Sequence, residues 1–174
     1  MNISRNASLP RRGLLLGLVA AGASLGLAGC GFELRKAPNF AFKTLSLKGN
    51  TYLINRLRRE FRGAGTVTLL PDDQADKADA VLEVLAEDRD RLVISTNSAG
   101  LLRELQLQLR VRVRLRTPGG KELLPATEVS QTRDLTFNET NALAKEGEAE
   151  LLFRDMQADI AQQVLRRLGS VKEL

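Results

Sequence analysis

Three groups of residues in this chain have chemistry to offer beyond folding. The first is a single thiol, Cys30, preceded by Leu27-Ala28-Gly29. A thiolate is a nucleophile, and small residues just before it fit a lipobox, where a diacylglycerol group goes onto sulfur and the chain is cut ahead of the cysteine. The second is the run Arg103-Glu-Leu-Gln-Leu-Gln-Leu-Arg-Val-Arg-Val-Arg-Leu-Arg116, which sets Arg110, Arg112, Arg114 and Arg116 at every second position. Planar guanidinium forks suit phosphate and carboxylate alike. The third is a pair of carboxylates two apart, Asp88 and Asp90, which share one face of any strand that carries them. Paired carboxylates can exchange protons, but nothing in the sequence places a substrate beside these two. The chain has no histidine, so the commonest general base and the commonest transition-metal ligand are missing. No enzyme, metal site or cofactor is expected.

The residues before Cys30 are arranged to deliver it. Arg5, Arg11 and Arg12 form a basic start, and residues 14–27 are an apolar run, too short for a comfortable span of ~20 residues. Basic segment, apolar segment and lipobox follow in the order that predicts a removed lipoprotein signal peptide over residues 1–29. Cys30 then becomes the mature N-terminus, carrying an S-diacylglycerol and an N-palmitoyl group. Gly31 follows it, not an inner-membrane retention aspartate, so the expected address is the outer membrane, on its periplasmic side. Of 174 residues, 145 remain, a size for one domain. The 26 basic residues fall to 23 against 21 acidic ones, and the formal charge of +5 falls to +2. A nucleic-acid binder would be expected to keep a strong positive field.

The mature chain reads as one domain over residues 41–169, between a lipidated tether at 30–40 and a tail at 170–174. Residues 42–48 are rich in strand formers. Asn50 or Thr51 can cap a helix reaching Arg62, with Leu53, Leu57 and Phe61 on one face and Gly63 as its stop. Arg56, Arg59 and Arg62 lie on its outer face and read as a solvated surface, cations being favoured near a helix C-terminus. A short extended piece at 65–70 precedes strand signals at 81–87 and 92–96, a turn at Asn97-Ser98-Ala99-Gly100, and the arginine strand. There Leu105, Leu107, Leu109, Val111, Val113 and Leu115 alternate with polar residues, the mark of one buried and one open face. After Pro118-Gly119-Gly120, residues 128–137 return as a strand. Cap residues at 138–141 start a final helix with an apolar stripe through Leu143, Ala149, Leu152, Met156, Ile160, Val164 and Leu168, ending at Gly169. The order β-α-β-β-β-α predicts an α+β two-layer sandwich, two helices packed on one face of a four-stranded mixed sheet.

A turn centred between Ser98 and Ala99 makes antiparallel partners sum to 197. Arg110 then faces Glu87, Arg114 faces Glu83, and Leu82, Val84 and Ala86 fall on the buried face. The second hairpin sets Arg116 opposite Glu122 and Arg110 near Glu128. Arg112, facing Leu85, is left without an acidic neighbour. Two readings follow: a structural charge ladder of Arg110, Arg114, Arg116, Glu83 and Glu87 that holds the sheet in register, or a basic face that grips an anion.

Several blocks in order carry a resemblance. These are Leu-Ala-Gly-Cys-Gly-Phe-Glu-Leu-Arg35, Ala80-Val-Leu-Glu83, Arg103-Glu-Leu105, Ala142-Leu-Ala-Lys-Glu146, Glu150-Leu-Leu-Phe-Arg-Asp-Met156 and Arg166-Arg-Leu168. Together they resemble the LptE family of lipopolysaccharide-assembly lipoproteins, also called rare lipoprotein B, across the whole mature chain. The resemblance implies a non-catalytic plug inside the outer-membrane β-barrel LptD, one chain per barrel, that helps the barrel assemble and takes part in delivering lipopolysaccharide. It also implies that Lys145 is a basic position associated with lipopolysaccharide contact, while Asn97 and Ser98 stand where a second basic residue is expected at a hairpin tip. Lipid A and the inner core carry phosphates and acidic sugars that Lys and Arg can bind, so Lys145 and Arg112 are the contact candidates. On the residues alone, Lys145 also reads as an i,i+3 ion pair with Glu148. The alternative is a free-standing periplasmic lipoprotein that binds an anionic cell-envelope polymer through its basic sheet face.

Overall fold

The structure is a computed structural model and describes residues 38–174; the signal peptide, Cys30 and most of the tether lie outside the described residues. Five strands, β1 (Thr44–Lys48), β2 (Thr68–Leu70), β3 (Ala80–Thr96), β4 (Leu102–Arg116) and β5 (Glu122–Thr136), form one sheet in the order β2-β1-β3-β4-β5. The helices are α1 (Tyr52–Ala64) and α2 (Ala142–Gly169). Four strands were expected. The fifth is the short extended piece, which pairs parallel to β1 through Thr44↔Thr68 to Ser46↔Leu70. Three residues are too few for a periodicity signal, so only the pairing reveals the strand.

The parallel junction of β1 with β3 is held by one side chain. The Asp79 carboxylate accepts from the backbone N–H of Lys43 and of Thr44, both at 2.9 Å, and its own N–H donates to Thr44 Oγ1 at 2.8 Å. Those backbone bonds, Thr44's first, hold the Asp79 carboxyl below the usual carboxylate range.

Helix α1 starts at Thr51, whose hydroxyl accepts from Ile54 N–H at 3.2 Å, and stops at Gly65, which takes the left-handed φ of 63°. The expected stop, Gly63, lies inside the helix. Leu53, Ile54, Leu57 and Phe61 form its buried face, each contributing about 1.5 to 3 kcal/mol by leaving water; Leu57→Ala alone would cost about 2 to 5 kcal/mol. On α2 the buried stripe runs through Ala149, Phe153, Met156, Ile160, Ala161, Val164 and Leu168. Leu143, assigned to that stripe from its spacing, is 89% exposed because it sits in the first turn, ahead of the packed stretch. Gly169 closes α2 and must be glycine: a Cβ there would lie 2.7 Å from Pro38 Cβ.

Both helices cover one face of the sheet, α1 over β1, β2 and β3 and α2 over β4 and β5, and Leu107, Leu109, Val111, Val113 and Leu115 of β4 are buried there. The other face carries the arginines. At ~3.3 Å per residue the 17 residues of β3 extend ~56 Å. At the hairpin end, Leu92, Val93 and Ile94 are exposed.

Candidate functional site

The β3–β4 register begins as expected, with Val81↔Arg116 and Glu83↔Arg114, and then breaks at Leu85. One extra residue on β3 moves the pairs from Ala86 to Val93 by one, so Ala86 pairs with Arg112, Glu87 with Val111 and Asp88 with Arg110, and the register shifts again around Ser95. Because side chains alternate, a single bulge inverts the facing of all that follows. Three expectations fall with it. Glu87 does not face Arg110, Ala86 does not join the buried face, and Arg112 does not face Leu85. A second irregularity follows on β5, where Val113↔Thr127 gives way to Leu115↔Leu124 around Pro125, which has no N–H to donate. It sets Arg112, not Arg110, opposite Glu128, while Arg116 stands opposite Glu122 as expected.

On the open face the ladder is largely paired within its own sheet. Glu83 is its hub. One carboxylate oxygen accepts from Arg114 Nη2 at 2.6 Å and Nε at 3.2 Å; the other accepts from Arg116 Nη2 at 2.9 Å and Nε at 3.1 Å. Glu83 is 7% exposed, and its carboxyl lies below the usual glutamate range, first through the hydrogen bond from Arg116, then through that from Arg114 and their charges. Arg110 donates to Asp90 at 2.7 Å, so one carboxylate of the Asp88 and Asp90 pair is drawn into the ladder. Arg112 is exposed and makes no ion pair among the described residues.

The bulge also builds a charged layer on the helix face that the sequence reading missed. Glu87 Oε2 accepts from Leu53 N–H at 3.2 Å, in the first turn of α1, a turn with no acidic residue of its own. A carboxylate there meets the positive end of the helix and satisfies an otherwise unpaired donor. Arg89 stacks between Tyr52, 4.6 Å from its guanidinium carbon, and Phe153, at 5.0 Å. Arg91 makes a two-pronged contact with Glu146 at 2.6 and 2.7 Å, which holds the Glu146 carboxyl below its usual range. The signal was the strict alternation of Asp88, Asp90 against Glu87, Arg89, Arg91, but both phases are charged, so alternation alone could not say which faced the helices.

Lys145 donates to Glu148 at 2.8 Å and to Thr136 Oγ1 at 3.4 Å, so its ion-pair reading holds in this structure. Thr136 pairs with Glu104, eight residues along β4 from Arg112, or ~26 Å of strand. The two contact candidates are therefore not brought together. At the hairpin tip Asn97 builds the turn itself, its side-chain oxygen accepting from Ala99 N–H at 3.0 Å and Leu101 N–H at 2.9 Å. Arg103 lines a small concavity beside that turn with Asn138 and Glu139. No cluster of potential metal ligands occurs among the described residues.

Comparison with known proteins gives this geometry its setting. The family model LptE, described as lipopolysaccharide-assembly, matches residues 42–168. The chain is 34% identical over 163 residues to the LPS-assembly lipoprotein LptE of Yersinia pestis, spanning 91% of this chain and 75% of that protein. Among solved structures, lipoprotein B of Nitrosomonas europaea superposes with a TM-score of 0.68 at 29% identity, covering 80% of this chain and 91% of that one. The rare lipoprotein B of Shewanella oneidensis gives a TM-score of 0.62 at 25% identity, covering 73% and 94%.

Proposed function

The chain belongs to the LptE family of non-catalytic lipopolysaccharide-assembly lipoproteins, and from that premise we propose that it works as the lipid-anchored plug of an LptD β-barrel at the outer membrane. The observation that carries the reading is a family match that runs through every strand and both helices. In this role Cys30 bears the lipid, and the domain sits in the barrel lumen, helps the barrel to assemble and takes part in placing lipopolysaccharide at the cell surface.

The open sheet face supports the reading on physical grounds. It is polar and uncovered by helices, and Arg110, Arg114 and Arg116 are paired within the sheet, so it can lie against a polar barrel interior with Arg112 the one ladder arginine without an ion pair among the described residues. The same pairing counts against a free-standing lipoprotein that grips an anionic polymer through this face. Lys145 and Arg112 are the proposed lipopolysaccharide contacts, acting separately and not as one site.

Depletion in the native cell tests the role. Barrel abundance and surface lipopolysaccharide should fall together as the chain is lost. Unchanged levels of both, with the chain gone, would refute it.

A further inference from the structure

The two helices leave a concavity of about 500 Å³ between them, and five of its walls are arginines: Arg56, Arg58, Arg59 and Arg62 of α1 and Arg154 of α2. A second concavity of about 390 Å³ on the β2 side shares Arg58 and Arg62, so these two stand on a ridge between two basic hollows. Acidic compensation is sparse. Glu60 pairs with Arg56 at 2.9 Å, and Asp72 reaches Arg58 only at 4.0 Å. Arg58 is otherwise fixed by the carbonyls of Leu47 and Gly49, both at 3.3 Å. Arg59, Arg62 and Arg154 make no ion pair among the described residues, and Arg56 Nε is shut from solvent with no acceptor.

Gathering five guanidiniums around one hollow is electrostatically unfavourable unless an anion joins them. The anion's shape follows from the donors. A carboxylate offers two oxygens in one plane and is satisfied by one fork, whereas a phosphate offers oxygens in three directions and can take forks arriving from two helices at once. We propose that this inter-helix groove binds a phosphate-bearing ligand, at a site distinct from Lys145 and from the sheet ladder. The inference goes beyond the assembly role and does not rest on it. The groove is open to solvent, which suits the phosphate of a larger molecule, lipid headgroup or soluble ester.

The test uses the full chain purified in non-ionic detergent, with the triple variant Arg59→Gln/Arg62→Gln/Arg154→Gln. All three side chains are exposed, and an unchanged melting temperature checks the fold; Arg154→Glu alone serves if the triple variant does not fold. Inorganic pyrophosphate and bisphosphorylated lipid A in mixed micelles are the two probes, titrated at low salt. Binding of either should weaken about tenfold or more in the variant, as expected when several charge-assisted contacts are lost. Lys172→Ala, an exposed cation outside both hollows, should leave pyrophosphate binding unchanged. If only lipid A shows the effect, the natural phosphate is lipid-borne; if pyrophosphate shows it too, the phosphate alone suffices, and both results support the site. Equal binding by variant and parent overturns it. So does an acidic peptide such as polyglutamate binding more tightly than either probe with the same arginine dependence, because the groove would then be a protein-docking surface. Neither arm involves the barrel, so failure of the plug reading would leave these results standing.

Discussion

Replacing Glu83 by Gln removes the hub of the ladder and leaves its shape almost unchanged. Four N–H···O contacts between 2.6 and 3.2 Å converge on this carboxylate, and charge-assisted hydrogen bonds are worth about 1.5 to 3 kcal/mol each in favourable settings. That sum overstates the loss. The Arg114 and Arg116 side chains are 34% and 24% exposed, so water screens them and rehydrates them when the partner goes. Glutamine also keeps one acceptor oxygen. The net cost is about 2 kcal/mol, a fall in melting temperature of roughly 5 to 10 °C for a domain of this size. Thermal unfolding followed by circular dichroism at neutral pH reads it. The pH dependence gives a second check. Because the folded-state pKa of Glu83 lies below its unfolded value, its contribution is complete above the unfolded pKa, about 4.3, and is lost as pH falls through the lower folded pKa. Parent and variant should therefore converge in stability as the solution is acidified below that range. A variant as stable as the parent at neutral pH, or a gap that widens in acid, would refute the hub assignment.

Asp90→Asn, which breaks only the Arg110 pair, should cost no more than ~0.5 kcal/mol in the same assay, both partners being about two-fifths exposed. Gly169→Ala should be clearly destabilising in thermal unfolding, since the added Cβ meets Pro38 at 2.7 Å; a neutral result would mean that the Pro38 segment does not pack there. Cys30→Ala should leave a precursor that is neither lipidated nor cleaved, seen by mass spectrometry of the N-terminus. Lys145→Ala should weaken lipopolysaccharide binding while moving the melting temperature little, because its ion pair with Glu148 is a single i,i+3 helix pair; unaffected binding would remove it from the contact surface.

Strong periodicity made much of this fold legible. The unbroken alternation of β4 identified its buried face, and Thr51 and the spacing of Leu53, Leu57 and Phe61 placed α1. The register was legible only as far as Val84↔Val113, because a bulge has no consistent sequence mark and nothing sets Leu85 apart from the strand residues around it. From there the expected partners shifted, and Glu87 moved from the ladder to the N-terminus of α1. Edge strand β2 read only as a short extended piece because it is three residues long and becomes a strand only by pairing with β1. For the site, the sequence could nominate Arg112 and Lys145 but not their separation, which depends on where α2 starts against the sheet. The basic groove was hidden for a similar reason. Arg56, Arg59 and Arg62 read as an ordinary solvated face until the structure placed Arg154, almost a hundred residues further along, across from them.

Native mass spectrometry of the chain recovered from solubilised outer membranes tests the plug assignment most directly. One lipidated copy of this protein should be bound to one LptD barrel, with no free pool of comparable size. Recovery of the folded, lipidated chain without a barrel, from membranes in which the barrel is present and folded, would contradict it.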